Sequence, residues 1–190
     1  MVSEFRRRKL LHVFNAFFDT NRSGAVDKKD FELAIEKLSQ MRGYKPGDAK
    51  YKDLQDTVWK IWDGLQDQAD KDSDGQITQN EWVEMWDQFA KNPAAAKAWQ
   101  DLYCKFVFEI EDASGDGEID EEEFSSVYAS FGLDKEESIE AFHNIANGKK
   151  TVSWPEFQEL WKEYFTSENA PGNFIFGCFK CSLSKHSHSH

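Results

Sequence analysis

Asp70-Lys71-Asp72-Ser73-Asp74-Gly75-Gln76-Ile77-Thr78-Gln79-Asn80-Glu81 decides the fold, because its oxygen-bearing residues recur at the spacing of a twelve-residue calcium loop. Ca²⁺ is a hard cation that takes about six to eight oxygens at about 2.3–2.6 Å, and a short loop supplies them only by wrapping around the ion. Asp70, Asp72 and Asp74 offer carboxylates at alternate positions. Gly75 permits the sharp turn that a side chain would obstruct. Gln76 offers its backbone carbonyl and Thr78 acts through a water. Glu81, at the start of the outgoing helix, is long enough to chelate with both oxygens. Ile77 is expected to point inward and pair with a neighbouring loop.

Helical patterns flank the loop on both sides. Tyr51, Leu54, Val58, Ile61, Trp62 and Leu65 recur on one face of the incoming segment, and Trp82, Met85, Trp86 and Phe89 on one face of the outgoing segment. Such a helix–loop–helix is an EF-hand, and the chain repeats it. In the stretch from Asp19 to Asp30, Asp19, Asn21 and Ser23 hold the first three ligand positions, Gly24 the turn and Val26 the inward position. Ala25, Asp27 and Asp30 complete that ligand set. Asp30 is one methylene shorter than the usual glutamate, so a two-oxygen grip is harder, and weaker Ca²⁺ binding or competition from Mg²⁺ is expected there. In the third copy, Asp112, Ser114, Asp116, Glu118, Asp120 and Glu123 take the ligand positions around Gly117 and Ile119. The fourth copy, Ile145 to Glu156, is degenerate: Ile145 replaces the first carboxylate and Lys149 and Lys150 stand at the fifth and turn positions. It is expected to bind no ion and to serve as a structural partner, Val152 pairing with Ile119 as Val26 pairs with Ile77.

The closing positions 30 and 81 lie 51 residues apart, whereas 123 and 156 lie 33 apart, which places an insertion between the first two hands. Asn92-Pro93 marks a break. The expected organisation is all-α: four EF-hands in two pairs with short β contacts between paired loops, 1–92 for the first pair, 93–168 for the second and 169–190 as a tail.

A net charge of −12 argues against direct nucleic-acid binding, and three divalent ions would halve it. With 16 Phe, 7 Trp and 5 Tyr the chain has the means to build a core. No apolar run is long enough for a transmembrane helix, and Met1–Leu11 has no signal-peptide pattern. Val2 stands where N-myristoylation needs glycine, and three cysteines suit a reducing compartment. The expected location is the cytosol. Arg6, Arg7, Arg8 and Lys9 form either a solvated helical face or a contact for an acidic partner or anionic lipid. The apolar tail around Asn173–Cys181 folds back into a groove, packs against the core, or carries palmitate on Cys178 and Cys181. His186, His188 and His190 are either disordered or able to chelate a transition metal.

Four graded hands, a long first linker and a core rich in Trp and Phe resemble the sarcoplasmic calcium-binding protein family. The tail Phe176-Gly177-Cys178-Phe179-Lys180-Cys181 adds a likeness to its calexcitin-type members. The resemblance implies a compact helical fold, action on potassium channels and calcium-release channels, peripheral membrane association and guanine-nucleotide binding. The residues support the last point little: Asn147-Gly148-Lys149-Lys150-Thr151 lacks the first glycine of a phosphate loop. The leading expectation is a non-enzymatic calcium sensor with three Ca²⁺ sites acting on membrane or channel targets. Its rival is a cytosolic calcium buffer, favoured by the scarcity of methionine, of which there are 3. A nucleotide hydrolase is the alternative from another class.

Overall fold

The computed structural model describes residues 2–92, 98–168 and 171–177. Its elements run α1 (Glu4–Val13), a π-helical turn (Phe14–Phe18), β1 (Ala25–Val26), α2 (Lys28–Arg42), α3 (Ala49–Ala69), β2 (Ile77–Thr78), α4 (Gln79–Lys91), α5 (Ala98–Glu111), β3 (Glu118–Asp120), α6 (Glu121–Ser130), α7 (Lys135–Ala146), β4 (Thr151–Ser153) and α8 (Trp154–Thr166). A 3₁₀ turn, Pro171–Phe174, closes the described chain. The fold is therefore helical with two short antiparallel ladders, as the four loop patterns require.

Each ladder joins two loops. Val26 faces Ile77 in one, and Ile119 faces Val152 in the other. All four side chains are buried, so the loops are tied by main-chain hydrogen bonds on one side and apolar contact on the other. The extra length between the first two hands lies in their longer flanking helices, 15 residues in α2 and 21 in α3 against 10 in α6 and 12 in α7. Gly43 ends α2 in the left-handed conformation, with φ 72°.

The chain divides into two compact units. One is Val13–Tyr103; the other is Met1–His12 together with Cys104–His190. Both boundaries fall inside helices, α1 and α5. In the first unit, Phe18 lies 4.7 Å from Trp82, 5.9 Å from Phe31 and 5.3 Å from Tyr103, ring centre to ring centre. Phe18 immediately precedes Asp19, the first residue of loop 1. In the second unit, Phe108 packs on Phe157 and Phe124 on Phe142, linking the helices that flank loops 3 and 4.

The second unit also explains the basic run and part of the tail. Lys9 is buried, and its ammonium donates to the Ser167 carbonyl and, at 2.6 Å, to Asn173 Oδ1. Arg6 donates to the Phe165 carbonyl at 3.3 Å. Arg8 pairs with Glu4 at the surface. Only part of the run is therefore a solvated face. Ile175 and Phe176 are buried, His12 Nε2 donates to the Phe176 carbonyl at 2.9 Å, and the Tyr128 hydroxyl donates to the Ile175 carbonyl at 2.8 Å. The tail thus folds back as far as Gly177. Cys178, Cys181, His186, His188 and His190 lie outside the described residues.

Candidate metal centres

Loops 1 to 3 share one construction. Each opens where a helix runs out: the N–H groups of Asp19, Asp70 and Asp112 donate to the carbonyls of Phe14, Gln66 and Phe108 at 2.8, 3.0 and 2.8 Å. The carboxylate of each then accepts the N–H of the turn glycine, at 2.8 Å from Gly24, 2.9 Å from Gly75 and 2.9 Å from Gly117. Its other oxygen accepts from Ser23, Asp74 or Gly115. Such bonds hold the first ligand facing the loop centre.

The turn requires φ near 90°, 79° and 85° at the three glycines, a region that a Cβ disfavours. The fourth loop position is also left-handed, with φ 56° at Arg22, 56° at Ser73 and 72° at Gly115. The sequence reading passed over this requirement, although Gly115 signalled it.

Each loop closes on a reciprocal helix cap. The N–H groups of Asp27, Thr78 and Asp120 donate to the side chains of Asp30, Glu81 and Glu123 at 3.0, 3.0 and 3.2 Å, and the side chains of Asp27, Thr78 and Asp120 accept in return. The second oxygen of each closing carboxylate accepts from the beginning of the loop: Asn21 at 3.1 Å, Lys71 at 3.0 Å and Ser114 at 2.9 Å. The closing carboxylate therefore spans the loop with both oxygens directed inward, Asp30 included. The ninth residues have a capping role that the sequence reading did not assign.

Between these ends the remaining candidates gather. One oxygen from each of Asp70, Asp72 and Asp74 lies within 4.8 Å of the others, as do ligand atoms of Asp112, Asp116 and Glu123. Ser114 joins them through a 3.3 Å bond to Asp112. In loop 1 the Ser23 hydroxyl lies 3.3 Å from Asp19 and donates to the Ala25 carbonyl at 2.8 Å, while Asn21 accepts the Ser23 N–H. Gln76 and Glu118 are placed through their N–H groups, which donate to Asp74 and Asp116 at 2.9 and 3.0 Å.

The electrostatics are those of closely spaced carboxylates. Asp70 pushes the carboxyl of Asp72 up, with desolvation and Asp74 acting in the same direction. At Asp70 burial acts upward, but donation from Gly75 and the hydrogen bond to Asp72 carry the group below its usual range. Burial raises Asp30, helped by the charges of Asp27 and Asp19. The Glu118 N–H holds Asp116 down. An all-oxygen donor set with clustered carboxylates and main-chain turns fits a hard divalent cation.

Loop 4 lacks this construction. Its sole carboxylate, Glu156, pairs with the Lys149 ammonium and accepts the Ser153 hydroxyl at 3.0 Å. Glu111, just before loop 3, was also passed over. It is buried, and desolvation pushes its carboxyl well up.

Residues 14–33, 67–86 and 107–128 match the EF hand family. The chain is 30% identical over 182 residues to sarcoplasmic calcium-binding proteins I, III and IV of Branchiostoma lanceolatum, covering 93% of this chain and 98% of that protein. It belongs to the sarcoplasmic calcium-binding protein family. Calexcitin-1 of Caenorhabditis elegans is similar to the same degree, 30% over 184 residues, covering 93% of this chain and 88% of that protein. The solved structure of a sarcoplasmic calcium-binding protein from amphioxus superposes with a TM-score of 0.79 at 27% identity, covering 94% of this chain and 99% of that one. As a member of this family the chain is a calcium-binding EF-hand protein. The three matched stretches take in loops 1 to 3, the loops built to a common plan.

Proposed function

We propose that this protein binds three Ca²⁺ ions in the cytosol, at Asp19–Asp30, Asp70–Glu81 and Asp112–Glu123, and acts chiefly as a calcium buffer. The ligands are the residues named for each loop, with Asp30, Glu81 and Glu123 closing the sites. A bound ion supplies the positive charge that lets crowded carboxylates all stay ionised. The chain's part is to hold those oxygens inward with the turn and cap hydrogen bonds, so that little reorganisation precedes binding. The two pairs of hands, 1–92 and 93–168, are the proposed functional divisions because each pair shares a ladder.

The buffer role is supported by one observation above all. The two features that pointed to an external target, the basic first helix and the apolar tail, engage each other: Lys9 with Asn173 and His12 with Phe176. Such contacts within the chain support a role without an external target. The second reading, a sensor of calexcitin type acting on membrane or channel targets, is favoured by the similarity to Calexcitin-1. Neither role includes catalysis; Asn147 caps α7 in the left-handed conformation and Thr151 opens β4.

Calorimetric titration tests the sites. Three ions per chain are expected, and Glu81→Gln and Glu123→Gln should each remove one; unchanged stoichiometry in either variant refutes its loop. Hydrophobic-dye binding in Mg²⁺ alone and then with Ca²⁺ tests the role. A large rise specific to Ca²⁺ would replace the buffer by the sensor.

A further inference from the structure

The fourth loop differs from the others in what it holds as well as in what it lacks. In loops 1 to 3 the closing carboxylate accepts two main-chain N–H groups. Glu156 instead directs Oε2 at the Lys149 ammonium and Oε1 at the Ser153 hydroxyl, 3.0 Å away. Lys149 stands at the fifth loop position, where Ser23, Asp74 and Asp116 stand in the other three. Its ammonium thus comes from a ligand position and lies against the closing carboxylate. Glu156 is the only acid between residues 145 and 156, and of the two lysines there Lys149 is the one paired with it. That ammonium also holds Glu156 below its ordinary range.

From Glu156 the contact passes through Ser153 into β4. The register sets Ser153 opposite Glu118, Val152 opposite Ile119 and Thr151 opposite Asp120. Glu118, Ile119 and Asp120 are the seventh, eighth and ninth positions of loop 3. Its closing residue Glu123 is fixed by the Asp120 cap.

The geometry points to Lys149 as a tethered cation that replaces calcium in the fourth hand and, through Glu156, Ser153 and the β3–β4 ladder, holds loop 3 in its ion-binding form. Lys149 is a positioning residue for the site at Asp112–Glu123, and the inference rests on the proposed assignment of that site. Hand 4 then needs no ion to act as a formed partner at any calcium level.

The sign of one substitution tests this. The full chain carrying Asp30→Asn and Glu81→Gln, so that loop 3 alone binds, is titrated with Ca²⁺ by calorimetry with Lys149, Lys149→Gln or Lys149→Arg. The buffer contains about 0.3 M KCl, where charges more than roughly 6 Å apart in solvent are largely screened. Lys149→Gln should weaken binding about two- to fivefold, the range of a half-exposed ion pair, and Lys149→Arg should restore it. Net charge alone predicts the opposite sign, since removing a cation makes an acidic chain more attractive to Ca²⁺. Unchanged or tighter binding in Lys149→Gln, or equal weakening in Lys149→Arg, overturns the inference. In the calcium-free protein, Lys149→Gln should also speed amide exchange at Ile119 and Val152, and unchanged protection there overturns it as well. Glu123→Gln added to the Lys149 background should abolish the remaining heat. Persistence of that heat refutes the loop 3 assignment, and the role of Lys149 falls with it.

Discussion

Truncating Phe176 to alanine removes one of the buried side chains that hold the tail within the second compact unit. The side chain is 2% exposed, and its ring centre lies 4.8 Å from Tyr164 and 5.8 Å from Phe165, at interplanar angles of 72° and 71°. Burying a phenylalanine contributes about 1.5–3 kcal/mol of transfer free energy. Edge-to-face ring pairs add about 0.5–1.5 kcal/mol each. These contributions overlap, and with the cavity included the loss for Phe176→Ala is about 3–5 kcal/mol. Urea unfolding in calcium-free buffer, followed by circular dichroism, measures it as a lower midpoint with an unchanged slope. A hydrophobic dye should also bind the variant without Ca²⁺, because the faces of Tyr164 and Phe165 that Phe176 covers become accessible. A loss below about 1 kcal/mol would show that the tail lies outside the cooperative unit, and the support its contacts give to a role without an external target would fall.

Other outcomes follow from the same structure. Asp30→Glu restores the missing methylene at the closing position of loop 1 and should tighten Ca²⁺ over Mg²⁺ by about tenfold, the scale of one added charged contact; unaltered selectivity in competition titrations would contradict the role given to chain length. Gly64→Ala would place a Cβ 2.3 Å from Trp99 Cβ and 2.5 Å from its Cγ, so a loss of about 1–3 kcal/mol is expected in thermal or urea unfolding. Burial, with Arg6 second, brings the Lys9 ammonium down to about 8 from 10.5. Between those values the folded chain binds fewer protons than the unfolded chain, so the part of stability that Lys9 controls rises with pH from about 8 to 10.5. Lys9→Met should remove that slope, and parallel pH profiles for the two proteins would refute it.

The four hands were readable from sequence because the chemistry of a loop is local. Twelve consecutive residues carry the ligands, the turn glycine and the inward residue, so Asp70–Glu81 could be recognised without knowing any distant contact. Flanking periodicity likewise placed Trp82, Trp86, Phe124 and Phe157 in the core, where the structure buries them. The pairing of Val26 with Ile77 and of Ile119 with Val152 followed from the loop alignment. The left-handed residues Arg22 and Ser73 escaped notice because no composition marks them; the loop's other hydrogen bonds impose the conformation.

What only the tertiary structure decided concerns groups distant in sequence. Lys9 and Asn173 are 164 residues apart, and nothing in the string Arg6-Arg7-Arg8-Lys9 distinguishes the buried ammonium from the exposed guanidinium at Arg8. Burial of a charge depends on whether carbonyls such as that of Ser167 arrive to solvate it, and that is settled by how α1 meets α8 and the tail. The same holds for Lys149. The sequence by itself determined that the fourth loop had lost its carboxylates, since that is a matter of residue identity; the fold decided that an ammonium from a ligand position would meet Glu156, since that depends on the path of the loop between α7 and β4.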